Sequence, residues 1–278
     1  MEKVFLIYTN IHKDIDLIQT ARIKNLLLDK GCKVYLYHEL DGQNLPTDID
    51  FMLVLGGDGT MLQAVRDVKE RHIPMLGINL GTLGYMTEVE PEQIETAIDK
   101  LLNGEVKTEE RMMLKASVCQ KGNQQTQEQW ALNDVVVSRR GSLQIHDFNI
   151  YVNGQFLKQY SADGIIVTTP TGSTGYNLSA GGPIVDPKTE LLMITPICPH
   201  TFNQRTIVLS KDDEIVVEIP AGKEGKPQQV EASFDGSHQM MLQTGDSIRI
   251  TKWEKEAVFL KLNQVSFLEI LSRKMSEN

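Results

Sequence analysis

No apolar run in the chain approaches the roughly 20 residues of a membrane-spanning helix, and runs such as the five-residue Phe51–Leu55 have strand length. The segment after Met1-Glu2-Lys3 carries only the short run Val4–Tyr8, too short for the core of a signal peptide. A cytoplasmic protein without a membrane partner is therefore expected. Basic residues are in deficit: 28 Lys and Arg stand against 37 Asp and Glu, a net charge of -9. That balance argues against nucleic acid or an anionic membrane as partner, since either needs a basic face, and an anionic ligand has to be met by local groups. Cysteine is scarce. Cys32, Cys119 and Cys198 are odd in number and share no metal-ligand spacing, and the six histidines contain no His-Glu-x-x-His pair, so a reduced compartment and no structural zinc are expected. Two common phosphate-binding patterns are missing as well: there is no Gly-x-x-x-x-Gly-Lys-Ser/Thr, and no Gly-x-Gly-x-x-Gly follows Val4–Tyr8.

The chain instead carries two other glycine-rich elements. Gly56-Gly57-Asp58-Gly59-Thr60 lies between the apolar run Phe51–Leu55 and a stretch with helical spacing of Met61, Leu62, Val65 and Val68, so it sits at a strand-to-helix turn, where open α/β sheets bind ligands. Glycines let a phosphate approach the backbone, and the N–H groups opening the helix favour negative charge. Asp58 is out of character there, because a carboxylate repels a phosphate. It either caps the helix or serves chemistry, holding a metal ion or taking a proton from an attacking hydroxyl. The second element follows Ile165–Val167: Thr169-Pro170-Thr171-Gly172-Ser173-Thr174-Gly175-Tyr176-Asn177-Leu178-Ser179 is dense in small side chains, hydroxyls and backbone donors, a composition suited to a polar, phosphate-bearing ligand.

Taken in order, the Gly-Gly-Asp-Gly-Thr turn, Gly81-Thr82-Leu83-Gly84-Tyr85, Asn133-Asp134, Asp163-Gly164, Thr169–Thr174, Ser179-Ala180-Gly181-Gly182-Pro183 and Thr195-Pro196-Ile197-Cys198-Pro199-His200 resemble the NAD kinase family over nearly the whole chain. Gly-Gly-Asp-Gly alone is shared with diacylglycerol, sphingosine and phosphofructo-kinases; the ordered set is specific. Family members usually have Glu at the place of Asp134 and Ala at that of Gly175, which bears on the fine geometry of the nucleotide pocket. The resemblance implies transfer of the terminal phosphoryl of ATP, with Mg²⁺, to the 2′-hydroxyl of the adenosine ribose of NAD, in a dimer or tetramer. It implies that Asp58 takes or orients the hydroxyl proton, that Gly56, Gly57, Gly59 and Thr60 face the donor phosphates, and that Asp58, Gly59, Asn133, Asp134, Asp163, Thr174, Gly175, Tyr176, Asn177, Leu178 and Ser179 meet NAD. Tyr85 lines or shields that pocket. Tyr176 either offers a flat face to a base or is simply half-buried. The metal ligands are not identifiable from the sequence. Alternatives of other kinds are a lipid or other small-molecule kinase, disfavoured by the acidic and polar character, and a non-catalytic NAD(P)-binding regulator, disfavoured by the presence of Asp58.

With 278 residues, 41% apolar and 23% charged, the chain suits one large or two ordinary domains. Strand-like Val4–Tyr8, Val34–Tyr37, Phe51–Leu55 and Met75–Ile78 alternate with helix-like Asp16–Leu28, Thr60–Lys69 and Pro91–Leu102, predicting an α/β N-terminal domain with a mostly parallel sheet over residues 1–110. From 111 to 261 the runs are strand-length, with Asn153-Gly154 and Asp235-Gly236 as hairpin signals, predicting a mostly-β domain; the resemblance implies that it carries most of the NAD-binding residues. Helical spacing returns in Phe267–Met275; the resemblance implies that residues 262–278 return to the first domain, through Leu268 and Leu271. Gly122–Gln129 and Ala221–Gln229 read as solvated hairpin ends, Arg139-Arg140 as a solvated strand end, Asp235-Gly236 as no more than a turn, and Met240-Met241 as core.

Overall fold

The computed structural model describes residues 2–40, 45–68, 71–81, 84–121, 126–141, 144–200, 205–262 and 265–276. The chain divides into two units, Met1–Glu110 with Ala257–Asn278, and Arg111–Glu256. The first has an α/β architecture with a mostly parallel sheet, the second is β-rich, and a helix ends the chain.

In the first unit β1 (Val4–Thr9), α1 (Ile18–Asp29), β2 (Lys33–Leu36), β3 (Phe51–Gly56), α2 (Asp58–Val68), β4 (Met75–Asn79), β5 (Thr87–Val89) and α3 (Ile94–Leu102) follow one another. Strands β2, β1, β3 and β4 pair in parallel, with Phe5 opposite both Val34 and Phe51, and β5 adds to β4. A parallel sheet is covered on both faces, so its central strands are unbroken apolar runs: Phe5–Ile7 and Met52–Leu55 are fully buried. Helix α2 buries Thr60, Met61, Ala64, Val65 and Val68, one stripe of a 3.6-residue period. It begins at Asp58, two residues before the predicted start, and the predicted end at Lys69 lies outside the described residues. The helix predicted from Asp16 begins at Ile18. Asp16 and Leu17 have φ of 58° and 55°, and the buried Asp14 carboxylate takes the N–H groups of Gln19 and Thr20, which sets the helix entry there.

The second unit contains β6 (Lys107–Cys119, beginning in the first), β7 (Gln127–Ala131), β8 (Asp134–Arg139), β9 (His146–Val152), β10 (Gln155–Ala162), β11 (Gly164–Thr168), the single turn α4 (Tyr176–Ser179), β12 (Leu191–Ile197), β13 (Ile207–Ser210), β14 (Ile215–Glu218), β15 (Gln229–Phe234), β16 (His238–Gln243) and most of β17 (Ser247–Lys261). One antiparallel array runs β10-β9-β14-β17, β6 pairs with β7, and a second sheet runs β13-β12-β11-β8-β15-β16. Alternation at period two assigns the faces. Val135, Val137, Ile165 and Val167 join Phe148, Ile150, Val217 and Ile250 in one core, while Val136 and Ile166 point the other way, onto Ile197 and Ala180.

Chain segment 257–261, the end of β17, lies in the first unit with Phe259 opposite Met75, and α5 (Phe267–Ser276) follows. Of the two predicted packing residues, Leu268 is 68% exposed and Leu271 is half-buried. Phe267 and Ile270, one helical turn apart, are the inward pair instead: Phe267 meets the Tyr85 ring at 5.9 Å and Ile270 is buried. Three further expectations are corrected. Gln127–Gln129 belong to β7, and 122–125 lie outside the described residues. Gln228 is buried because its amide is satisfied by Asp147 and the Pro220 carbonyl. Of the pair expected in the core, Met240 packs half-buried against it, whereas Met241, on the edge strand β16, is 39% exposed.

Candidate functional site

Both glycine-rich stretches of the first unit converge on one carboxylate. The Gly57 carbonyl accepts the N–H groups of Thr60 and Met61 at 2.9 and 3.1 Å, which turns the chain from β3 into α2 with Asp58 at the helix start. Asp58 Oδ2 accepts the Tyr85 N–H at 2.7 Å and Oδ1 accepts the Met86 N–H at 2.9 Å. Among the described hydrogen bonds its carboxylate takes none from its own helix, so the loop of residues 84–86, rather than a helix cap, holds it. A carboxylate oxygen has room for more than one donor, so both retain capacity toward a ligand hydroxyl. Gly84 is what permits this approach: a Cβ there would lie 2.1 Å from Asp58 Oδ1. Thr82 and Leu83 of the same motif lie outside the described residues.

Of the residues predicted to face donor phosphates, Gly57 is half-buried and Gly59 exposed, whereas Gly56 and Thr60 are buried. The Thr60 hydroxyl accepts from Asn10 Nδ2 at 3.2 Å and Gly57 N–H at 3.4 Å, so it braces the turn internally. Tyr85 is half-buried, with the Lys274 ammonium 5.0 Å from its ring. Burial and the Asp58 charge push its phenol pKa up. Sequence reading missed Lys13, in the loop after β1. Asn10 N–H bonds to the Leu55 carbonyl at 2.9 Å and Lys13 N–H to the Asn10 carbonyl at 3.0 Å, which brings the Lys13 ammonium beside Gly57 and Gly81. A lone lysine after a first strand carries no signal of this placement.

In the second unit the backbone at Asn133-Asp134 is saturated from two sides. The Asn133 carbonyl accepts Thr168 Oγ1 and Thr169 N–H, both at 2.9 Å, and the Leu132 carbonyl accepts Thr169 Oγ1 at 2.6 Å. On the donor side the Asp235 carboxylate accepts the N–H groups of Leu132, Asn133 and Asp134 at 2.8, 2.7 and 3.2 Å. Asp235 is thus more than a turn residue. It does sit in the β15–β16 hairpin with φ of 48°, but that geometry aims its carboxylate at the loop bearing both predicted nucleoside contacts. What is left open is side-chain chemistry: Asn133 Oδ1 is buried with no hydrogen-bond partner among the described residues, a cost that a ligand donor would remove.

Asp134 is buried, and burial together with the Asp235 charge raises its pKa to about 7. A carboxyl raised by folding adds stability in acid that is lost as pH climbs through the folded value. The melting temperature of Asp134→Asn is therefore expected to match wild type near pH 4 and to exceed it by several degrees at pH 8. Identical pH profiles for the two proteins would show that Asp134 ionises without penalty.

The remaining predicted contacts divide. Tyr176 and Leu178 are 46% and 41% exposed, Ser179 is exposed, and Thr174 and Gly175 are half-buried, all open to a ligand. The Tyr176 phenol is pushed up by burial and then by the charges of Cys198, Asp163 and Asp134, which sets the ring in the same field as the two acids. Asp163 accepts Arg139 Nε at 2.8 Å, so Arg139 is a salt-bridge partner rather than a solvated strand end. Asn177 is fully buried: its amide donates to the Ser173 and Pro183 carbonyls at 3.1 Å and accepts the Thr195 hydroxyl at 2.7 Å. Its side chain shapes the loop from inside. The same is true of Thr168, Thr169 and Ser173, whose hydroxyls all bond to the protein. Among the described residues no group of three or more His, Cys, Asp or Glu is arranged to hold a metal ion.

Comparison with known proteins matches residues 12–106 to the ATP-NAD kinase N-terminal domain and residues 132–262 to the ATP-NAD kinase C-terminal domain. The NAD kinase of Lachnospira eligens is 42% identical over 293 residues, covering 98% of this chain and 100% of its own. That of Agathobacter rectalis is 43% identical over 282 residues, with 98% of each covered. An NAD kinase from Archaeoglobus fulgidus, solved in complex with ATP, superposes with a TM-score of 0.79 at 28% identity, covering 99% of both chains. Yeast NADH kinase, complexed with NADH, shares the fold with a TM-score of 0.87 at 23% identity, over 100% of this chain and 88% of that one.

Proposed function

The chain belongs to the NAD kinase family, and on that premise we propose how its residues carry out the phosphorylation of NAD by ATP to NADP. The acceptor is the 2′-hydroxyl of the adenosine ribose. The observation that carries the assignment is the Asp58 carboxylate, held by two loop N–H groups at 2.7 and 2.9 Å beside an opening helix. A carboxylate so fixed accepts the hydrogen bond of the attacking hydroxyl and orients its lone pair toward phosphorus. In phosphoryl transfer through a loose transition state the proton leaves late, so orientation is the larger share of its help. Gly57 and Gly59 leave room for phosphate oxygens near the N–H groups opening α2, whose dipole favours negative charge. Mg²⁺ would come as part of the MgATP substrate and would supply positive charge to the transferring phosphoryl group, with Asp58 the carboxylate that stands in the glycine turn beside it.

The exposed face of Tyr176, the unpaired Asn133 Oδ1, Asp134 and the Asp163–Arg139 pair provide the NAD nucleoside contacts, with Thr174, Gly175, Leu178 and Ser179 along the dinucleotide. Asn177 acts from beneath, by holding that segment. A cytoplasmic homo-oligomer is part of the same reading, supported by the family; no helix of the described residues is long and apolar enough to cross a membrane.

The test is incubation with NAD and MgATP, followed by NMR of the product. The new phosphate is expected on the adenosine 2′-oxygen, and a dinucleotide lacking that hydroxyl should bind with modest loss yet accept no phosphate. A phosphate on the 3′-oxygen or on the nicotinamide ribose would refute the orientation assigned to Asp58.

A further inference from the structure

The glycine turn that receives the donor phosphates contains no positive charge of its own, and it contains a negative one. Gly56–Thr60 and the described part of the second loop, Gly81 and Gly84–Met86, include no Lys or Arg, while Asp58 stands among them. Helix N–H groups alone offer partial charges, against a polyphosphate of several full negative charges that also meets a carboxylate. One full cation is brought in from elsewhere in the chain. The Lys13 ammonium lies 3.1 Å from the position of a Cβ on Gly57 and 3.3 Å from that of a Cβ on Gly81. It therefore occupies the side of the turn that the two glycines leave bare.

The backbone that carries Lys13 is held in place. Asn10 is stapled to the turn twice, by its N–H on the Leu55 carbonyl and its amide on the Thr60 hydroxyl, at 2.9 and 3.2 Å. The Asn10 carbonyl then takes both the Lys13 and Asp14 N–H groups at 3.0 Å, and the buried Asp14 carboxylate is locked onto the start of α1. The loop carrying Lys13 is thus anchored on both sides of that residue. Among the described residues the ammonium makes no hydrogen bond or ion pair, although Asp58 belongs to the same turn; the loop N–H groups of Tyr85 and Met86 occupy that carboxylate instead. An exposed, uncommitted cation held over a glycine nest is the arrangement that meets a phosphate chain as a point charge.

We propose that Lys13 binds the polyphosphate chain of the phosphoryl donor and offsets the repulsion between it and Asp58. This rests on the kinase reading of the glycine turn and extends it to a residue outside both glycine-rich motifs. It follows that Lys13 contributes to affinity for the donor and not to affinity for NAD.

The experiment compares wild type, Lys13→Met, which keeps length and removes charge, and Lys13→Arg, which keeps charge. With full-length protein, Lys13→Met is expected to raise the KM for MgATP roughly 10- to 100-fold, the usual effect of losing a hydrogen bond to a charged group. The KM for NAD and the melting temperature should stay near wild type, and Lys13→Arg should recover most of the loss. Calorimetry with inorganic tripolyphosphate should show weaker binding to Lys13→Met by a similar factor. An unchanged KM for MgATP, or a rise confined to NAD, would overturn the proposal. Were wild type to form no NADP, the kinase reading itself would fail, and tripolyphosphate binding would judge Lys13 alone: equal affinity in wild type and Lys13→Met would refute it.

Discussion

Asp58→Asn should lower kcat by about 10²–10⁴ and change the KM for NAD much less, because in the proposed mechanism the lost interaction is one made with the hydroxyl as it attacks. The structure adds a second consequence that the exchange of charge for amide would not by itself suggest. Both carboxylate oxygens accept a backbone N–H, from Tyr85 and from Met86. An amide has one acceptor oxygen, so its NH₂ group is left facing one of those donors. The loop then loses a hydrogen bond to a charged group, worth about 1–3 kcal/mol, and the melting temperature should fall by a few degrees. The two effects separate by temperature: kcat measured well below the transition reports chemistry alone. Near-normal kcat with a lowered melting temperature would reduce Asp58 to an anchor for the loop of residues 84–86.

Asp235→Ala is expected to be the most destabilising single change at the proposed nucleoside site. It removes the common acceptor of three N–H groups, those of Leu132, Asn133 and Asp134, in a segment where Leu132 and Asp134 are buried. Unsatisfied buried donors each cost about 1–3 kcal/mol, so a total of roughly 3–5 kcal/mol and a fall in melting temperature on the order of 10 °C follow. NAD affinity should fall as well, because the loop positioning Asn133 and Asp134 loses its donor-side anchor while its carbonyls stay bound to Thr168 and Thr169. Asp235→Asn keeps one acceptor and should lie between. Thermal denaturation at pH 7 with calorimetric titration of NAD measures both; a melting temperature within about 2 °C of wild type would show that solvent replaces the carboxylate at no cost.

The same residue shows where sequence reading stops. Asp235-Gly236 is a correct local signal for a hairpin, since a positive φ is needed there and Asp and Gly supply it. The partners of the carboxylate, however, lie 101 to 103 positions earlier, and nothing local announces them. The threonine-rich segment misleads in the opposite sense. Its hydroxyls suggested a surface for a polar ligand, yet Thr168, Thr169 and Ser173 turn inward to bond carbonyls. A hydroxyl in a sequence is a donor without an address.

What the sequence by itself determined is whatever depends on neighbours along the chain. The strand-turn-helix around Asp58, the parallel alternation up to α3, the change to strand-length runs after Glu110 and the Asn153-Gly154 turn all follow from periodicity, β-branched runs and permitted φ values. The ordered motifs also carried the family. Only the tertiary structure decided which polar groups are spent on the protein and which remain for a ligand: Asn177 is spent and Asn133 Oδ1 is not, and Lys13, unremarkable in the sequence, stands over the glycine turn. The reason is physical. Backbone conformation is governed by local sterics, whereas a side chain's hydrogen-bond partner and its charge environment are set by groups that only long-range packing brings within about 3 Å.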